Sequence, residues 1–360
     1  MNEATVVAAS PLLFLHPRRR RVGAFEGIGG RRFEPLPLAF VELIHFCCEP
    51  KPISAAIAAG HSHQLIREAL QAGILQDVNA DAFHNASRWE RCRWSRAAYL
   101  TFSQQDLPYL EPHDDEPSLA TLTGFRREQI ARQLATEAYP VRRLVPCENP
   151  IALPAVAEDV PLDLDSLVAR RCVRSFAGDP IPLEVLASIL VESTRLLRAA
   201  EHSKVDGDPV SLLNSYFAWL QIYIVVQGVD QITRGVYQYD PLGNHLRWVG
   251  PARSDDEIAV CVHGQTWIRG GGFCLFAAAQ WDRYMWVYRH ARAYLNLLVQ
   301  VGEFGQEVLL PACRLGLGAW MTPAIYESAA ARLLALEPLA EDAVFFLKIG
   351  PPKPSGKPGP

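Results

Sequence analysis

No apolar run among the 360 residues is long enough to cross a bilayer, which excludes a helical membrane protein. The first residues also lack the basic region, apolar core and small-residue cleavage site of a secretory signal, so the cytoplasm is the expected compartment. Charge of one sign is not in excess. Lysine and arginine number 35 against 39 acidic residues, a net charge of −4, and this balance argues against nucleic acid as a partner. The local run Arg18 to Arg21 reads as a solvated loop. The eight cysteines form no CxxC pair and the histidines lack regular ligand spacing, so neither a disulfide framework nor a metal site is expected. GIGG at 27–30 does not lead from a strand into a helix, which removes a dinucleotide loop, and no nucleophile elbow occurs.

What the chain has in quantity is apolar surface. With 49% hydrophobic and 21% charged residues it can bury a sizeable core, and its length fits two domains better than one. Residues 38–48 are apolar at helical spacing, Pro50 and Pro52 break the chain before ISAAIAA, and a third helical segment runs from His61 to Leu75 with a stop at Gly73. Three short helices with a breaker suggest a winged-helix-like unit. Its third helix carries one arginine and suits a peptide or partner protein better than DNA. Residues 146–163 are proline-rich with little periodicity and read as a linker. The expected domains are 1–150 for docking and 151–350 for a second domain, followed by a disordered, low-complexity tail at 351–360.

In the second domain the pattern predicts a helix from about Asp165, another from Leu183 to about Ala200, and a strand over Leu220–Val226. A hairpin follows over Gly235–Trp248 with its turn at Asp240–Asn244, then a strand at 273–279. Helical spacing returns over Tyr288–Leu315, interrupted at Gly302 and tolerating Pro311, and Ala343–Ile349 closes with a strand. The fold class is α+β, a mostly antiparallel sheet flanked by helices.

The densest chemistry lies in RRCVRSFAGDPIPLE, residues 170–184. Arg170, Arg171 and Arg174 stand at i, i+1 and i+4, so on a helix two of them share a face and can grip a phosphate by charge-assisted hydrogen bonds. A solvated basic turn ahead of a helix is the other reading of the same residues.

Taken with Cys172 and Phe176, this run resembles the opening motif of the nitroreductase-like flavoenzymes, where such residues hold the phosphate of FMN. The hairpin GVYQYDPLGNHLRWV, and the stretch YRHARAYLNLLVQVGEFGQEVLLPACRLGLGAW with its Gly-Leu-Gly turn, resemble the SagB-type branch, which dehydrogenates azolines in ribosomally made peptides. The resemblance covers about 165–350. It implies a flavin wall at Gly318–Pro323, with main-chain donors at Met321 and Thr322, and Gln306 retained on the long helix. It also marks two departures. Leu212, Leu213, Asn214 and Ser215 replace a small-residue flavin loop, leaving Asn214 and Ser215 as the polar contacts, and the Lys-Tyr pair of the azoline dehydrogenases falls on Val287 and Tyr288. Tyr288 is then the candidate base, with Arg289 and Arg292 as cations that could assist it, or it is a packing residue.

The resemblance thus implies an FMN-dependent oxidoreductase that acts with a biosynthetic partner protein on a peptide or carrier-bound substrate, with the flavin site built across a homodimer. Two alternatives stand beside it: a degenerate scaffold that kept the fold and lost the cofactor, and an NAD(P)H-dependent nitro or quinone reductase.

Overall fold

Apolar residues three and four apart shape the first unit into short helices around a small sheet. The computed structural model describes residues 2–10, 13–18, 21–26, 32–33, 36–80, 83–84, 119–156, 168, 170–204, 212, 216–251, 254–289 and 293–353. Its contacts divide the chain into Met1–Asp114 and Asp115–Pro360. The first unit contains β1 (Val6–Ala9), β2 (Leu13–Arg18), β3 (Arg21–Glu26), β4 (Arg32–Phe33), α1 (Leu38–Phe46), β5 (Lys51–Pro52), α2 (Ile53–Ala58), α3 (His63–Gln71) and β6 (Leu75–Asp77). One antiparallel sheet has the order β5-β1-β6 and another β2-β3-β4. Val7, Leu43, Ile53, Ile66 and Leu75 pack together between the first sheet and the three helices. The helices lie where the periodicity places them. Pro52 caps α2, the Ser62 hydroxyl accepts from Leu65 N–H at the start of α3, and Gly73 takes the positive φ that ends it.

The second unit contains α4 (Leu119–Leu134), β7 (Ile151–Ala152), α5 (Leu183–Ser193), α6 (Arg195–His202), β8 (Leu220–Gly228), β9 (Gly235–Asp240), β10 (His245–Gly250) and α7 (Asp255–Cys261). It continues with β11 (Gly272–Gln280), α8 (Trp281–Val287), α9 (Ala293–Arg314), β12 (Gly318–Thr322), α10 (Glu327–Leu334) and β13 (Glu341–Gly350). Seven strands form one sheet in the order β12-β13-β11-β8-β9-β10-β7, each pairing antiparallel. Along β8, Ile222 and Ile224 face a core shared with α5 and α9, while Tyr223 and Val225 face a core shared with α7 and α10. Covering on both faces is why β8 and β11 read as unbroken apolar runs. The α+β class and the antiparallel sheet flanked by helices are as the pattern predicts. Among the described residues no helix is long and apolar enough to cross a membrane.

Several expectations change. The single helix over 183–200 is two, because the Thr194 hydroxyl donates to Leu190 O at 2.7 Å and its backbone leaves the helical region at φ −105°, ψ 8°. The helix expected from Tyr288 begins at Ala293, Gly302 does not interrupt it, and Tyr288 instead ends α8, which the periodicity did not single out. Most of the helix expected near Asp165 lies outside the described residues.

The division at 114/115 also differs from the expected boundary near 150. Residues 141–147 run across the polar end of the sheet as a strap held by three buried glutamines. Gln280 Nε2 donates to Val141 O at 2.9 Å, Arg143 N to Gln280 Oε1 at 3.1 Å, Gln238 Nε2 to Arg143 O at 2.9 Å and Val145 N to Gln238 Oε1 at 2.6 Å. Gln221 Nε2 donates to Gln280 Oε1 at 2.6 Å and joins the set. Past the strap, Ile151 and Ala152 pair with β10 and Leu153 enters the core. The proline-rich stretch is therefore partly an edge of the sheet.

A second strap, residues 172–181, bridges successive strands: Cys172 to Ala319, Phe176 to Pro352 and Ile181 to Val229. Gly271 lets it lie close, since a Cβ there would overlap the carbonyl oxygen of Asp179. Lys348 secures the same turn from below. It is fully buried, and its ammonium donates to Gly271 O at 2.7 Å, Gly270 O at 3.2 Å and Gln227 Oε1 at 2.6 Å, with the Phe176 ring 5.3 Å away. Burial pulls its pKa below the usual lysine range.

At the polar end of the sheet Glu341 is 6% exposed and accepts from the Tyr223 hydroxyl at 3.0 Å. Burial raises its carboxyl to about 7, against smaller lowering effects of that hydrogen bond, Arg143 and Arg142.

Two measurements test these placements. Gly271→Ala is expected to lower unfolding free energy in urea by about 2–3 kcal/mol, and a cost under about 0.5 kcal/mol would mean the strap is not held this closely. Glu341 keeps its proton in the folded protein over a range where the unfolded chain has lost it. Its contribution therefore falls as pH rises from the unfolded value near 4.5 to about 7, by up to about 3 kcal/mol. Glu341→Gln should remove that slope and be the more stable protein at pH 8; equal pH slopes for the two proteins would refute the assignment.

Candidate functional site

The arginine segment is extended, not helical, which corrects the basis on which its grip was expected. Side chains two apart share a face of an extended chain, so Arg170, Cys172 and Arg174 fall on one side and Arg171 and Val173 on the other. The Arg170 guanidinium accordingly reaches Cys172 Sγ at 3.9 Å. Arg171 turns back on its own backbone and donates to Val168 O at 2.6 Å and Arg170 O at 2.9 Å. The Arg174 guanidinium lies 5.6 Å from the centre of the Trp267 ring, which itself meets Trp320 edge-on at 5.6 Å. Among the described residues none of the three arginines is paired with a carboxylate. Arg171, Cys172 and Arg174 are exposed and Arg170 is half-buried.

The strand beside them supplies a backbone donor. Val173 N–H bonds Ala319 O at 3.0 Å, so Ala319 directs its main-chain groups outward from β13. By the alternation of a strand, Met321 does the same, while Trp320 and Thr322 direct theirs toward β13. Met321 thus keeps an outward N–H on the edge strand β12. Thr322 has none to offer, and its buried hydroxyl accepts from Ala324 N at 3.0 Å. Gly316 ends the approach from α9 with φ +73°.

These groups suit a flavin nucleotide: guanidinium groups without counter-charges among the described residues, on a strap fixed at several points, for its phosphate, and an outward main-chain N–H further along β12 for its ring. Asn214, Ser215 and Arg292 lie outside the described residues.

Tyr288 is elsewhere. It ends α8, its ring sits 4.8 Å from that of Tyr284, and it borders an open cleft of about 680 Å³ that also touches Asp282, Trp286 and Arg289. Arg289 is ion-paired with Glu137, which occupies the cation expected to assist the tyrosine. Tyr288 stands near the Ala293 end of α9 and the arginine segment near its Arg314 end, a helix of 22 residues and so roughly 33 Å long. Within one chain the structure does not bring the two together.

Lys348, Trp267 and Gly271 support the site and were not anticipated. The run Gly270-Gly271-Gly272 ahead of an apolar strand was their signal, since consecutive glycines mark a place where another backbone approaches closely. Among the described residues no cluster of histidine, cysteine, aspartate or glutamate could hold a metal ion.

The family model for the nitroreductase family matches residues 167–350. The chain is 29% identical over 189 residues to a protein of Methanocaldococcus jannaschii named as a nitroreductase, covering 52% of this chain and 90% of that one. It is 23% identical over 248 residues to the trifolitoxin operon protein TfxC of Rhizobium leguminosarum bv. trifolii, covering 66% and 67%. A crystal structure from Anabaena variabilis, also named as a nitroreductase, aligns with a TM-score of 0.47 at 21% identity over 57% of this chain; less than half of that protein, 42%, is spanned. The matched span is slightly more than half of the 360 residues and takes in the arginine strap, β8 to β13 and α9, and the chain belongs to the nitroreductase family.

Proposed function

We propose that the second unit binds FMN and that the protein is an oxidoreductase acting on a peptide or carrier-bound substrate in natural-product biosynthesis, as in the SagB-type branch. The observation that carries the cofactor is the strip of arginines, without carboxylate partners among the described residues, on the strap at β12. The substrate class draws on the likeness to TfxC, a protein of the trifolitoxin operon. Bound there, FMN supplies a two-electron acceptor.

The chain's own residues then have distinct tasks. Arg170 and Arg174 share one face and hold the phosphate, and the Trp267 ring, 5.6 Å away, steadies the Arg174 guanidinium. Met321 N–H is a fixed donor for negative charge on the ring. Tyr288, having given up its own hydroxyl proton to solvent, takes the substrate proton at that oxygen. Because α9 separates Tyr288 from the strip, one chain does not complete the site by itself, and we assign the missing end to a second copy in a homodimer. The first unit, with its winged-helix-like set of three helices, docks the peptide or a partner protein.

A second reading is favoured by two observations. Val287 stands where the azoline dehydrogenases place lysine, and Arg289 is engaged by Glu137. A scaffold that kept the fold and lost the chemistry would show both.

Flavin uptake separates the readings. The purified protein is expected to carry, or take up, FMN with its visible absorbance; a colourless preparation that binds no added FMN would leave the scaffold. Arg174→Ala should weaken FMN binding by about 1.5–3 kcal/mol, roughly tenfold to a hundredfold. An unchanged Kd would remove the strip from the site.

A further inference from the structure

At the end of the sheet away from the arginine strap, two more arginines are almost fully enclosed. The Arg142 side chain, on the 141–147 strap, is 7% exposed and that of Arg283, on α8, is 2% exposed. Arg283 Nη2 donates to both oxygens of Glu201, at 2.9 and 3.2 Å, and to the Tyr139 hydroxyl at 3.1 Å. Lys204 Nζ donates to Glu201 Oε1 at 2.8 Å and to the same hydroxyl at 3.4 Å. Arg142 Nη1 donates to Leu220 O and, at 3.4 Å, to Gln221 Oε1, while its Nη2 approaches Glu201 Oε1 only to 4.0 Å.

Three cations therefore surround one carboxylate. Four guanidinium nitrogens, Nε and Nη2 of Arg142 and Nε and Nη1 of Arg283, are buried with no acceptor among the described residues. Burial and the neighbouring Arg283 charge bring Arg142 down to about 10. Burial would raise Glu201, but Arg283, Lys204 and Arg142 hold it below the usual carboxylate range. Asp240 also attracts Arg142, but its Oδ1 already accepts Leu242 N–H and Gly243 N–H in the β9–β10 turn. A structural ion cluster gains stability by matching charges and filling its donors. This one leaves four of its guanidinium nitrogens unfilled.

We propose that Arg142 and Arg283, with the Tyr139 hydroxyl, form a binding site for a small oxyanion of the carboxylate or phosphate class. Such an anion matches the planar fork of a guanidinium and offers lone pairs to the N–H groups on those four nitrogens, six in all. The Tyr139 oxygen already accepts from Arg283 and Lys204, which leaves its own proton for the anion. An open cleft lies beside it. Tyr139 meets Trp286 edge-on at 5.3 Å, and the flanking residues Glu137 and Pro140 line the open cleft bordered by Tyr288. The anion is either free in solution or the carboxylate of a larger molecule seated in that cleft. The site stands independently of the flavin reading.

Isothermal titration on the full chain tests it, in an Arg170→Gln/Arg174→Gln background so that the other arginine strip cannot answer for it. The probes are inorganic phosphate and N-acetylglycine at constant ionic strength, with chloride as the comparison. Saturable binding of one anion per chain is expected, with a thermal midpoint raised by roughly 5 °C at a hundredfold excess over Kd. Preference for phosphate identifies a free oxyanion, and preference for N-acetylglycine identifies a carboxylate on a larger ligand. Arg283→Gln should abolish binding. Tyr139→Phe, which keeps the ring and the fold, should weaken it several-fold, and it decides the matter if the arginine variant does not fold. Failure of both probes to saturate, or binding unchanged by Tyr139→Phe, overturns the site.

Discussion

A single ammonium group, that of Lys348, organises the end of the sheet where the family motif sits. It has no carboxylate partner among the described residues and is enclosed, so its charge is tolerable only because each of its three N–H groups meets an oxygen. Two of those oxygens are the carbonyls of Gly270 and Gly271, which are thereby turned inward beneath the 172–181 strap. The strap in turn bonds to the turn, with Gly271 N–H donating to Ala177 O at 2.6 Å, and Phe176 closes over the lysine. The positions of Arg170 and Arg174 follow from this arrangement. Lose the ammonium, and two buried carbonyls lose their donors together with the platform under the strap.

The opposite end of the sheet is built from different chemistry. Gln238 and Gln280 present amides to the backbone of the 141–147 strap, each both donating and accepting, and Gln221 joins them through the Gln280 amide and the Arg142 side chain. Arg142, Arg283 and Glu201 add charge at the same end, with Glu341 and the Tyr223 hydroxyl beside them as a buried hydrogen-bonded pair. The sheet between the two ends is apolar on both faces. One domain thus keeps two polar regions apart along its strands, with α9 spanning the interval, and a reaction that uses both requires either a long ligand or a second chain.

Much of this domain was legible beforehand. β8 and β11 are read from runs of apolar residues, and the β9–β10 hairpin from Asp240-Pro-Leu-Gly-Asn244, where Asp240 accepts the turn N–H groups and Asn244 takes the positive φ. The arginine run stood out in the sequence as a candidate for holding an anion, but its conformation was not legible there. Helical spacing and extended spacing both leave Arg170 and Arg174 on a common face, so the residues alone could not distinguish them. Tyr288 was placed by alignment with a Lys-Tyr pair, and nothing in its neighbourhood in the chain reveals how far α9 carries it from the strip.

What the residues determined unaided are the elements whose signal is local: period 2 or 3.6 in apolar positions, breakers at proline and glycine, and a cluster of like charges that calls for a counter-ion. What only tertiary structure decided is where irregular chain runs and which buried charges meet. The 141–147 strap satisfies its backbone through glutamines 93 to 139 positions away. The surplus of positive charge around Glu201 likewise assembles from residues 139, 142, 201, 204 and 283. No periodicity connects such partners, because a side chain that caps a remote backbone leaves no repeat in the sequence, and only folding makes them neighbours.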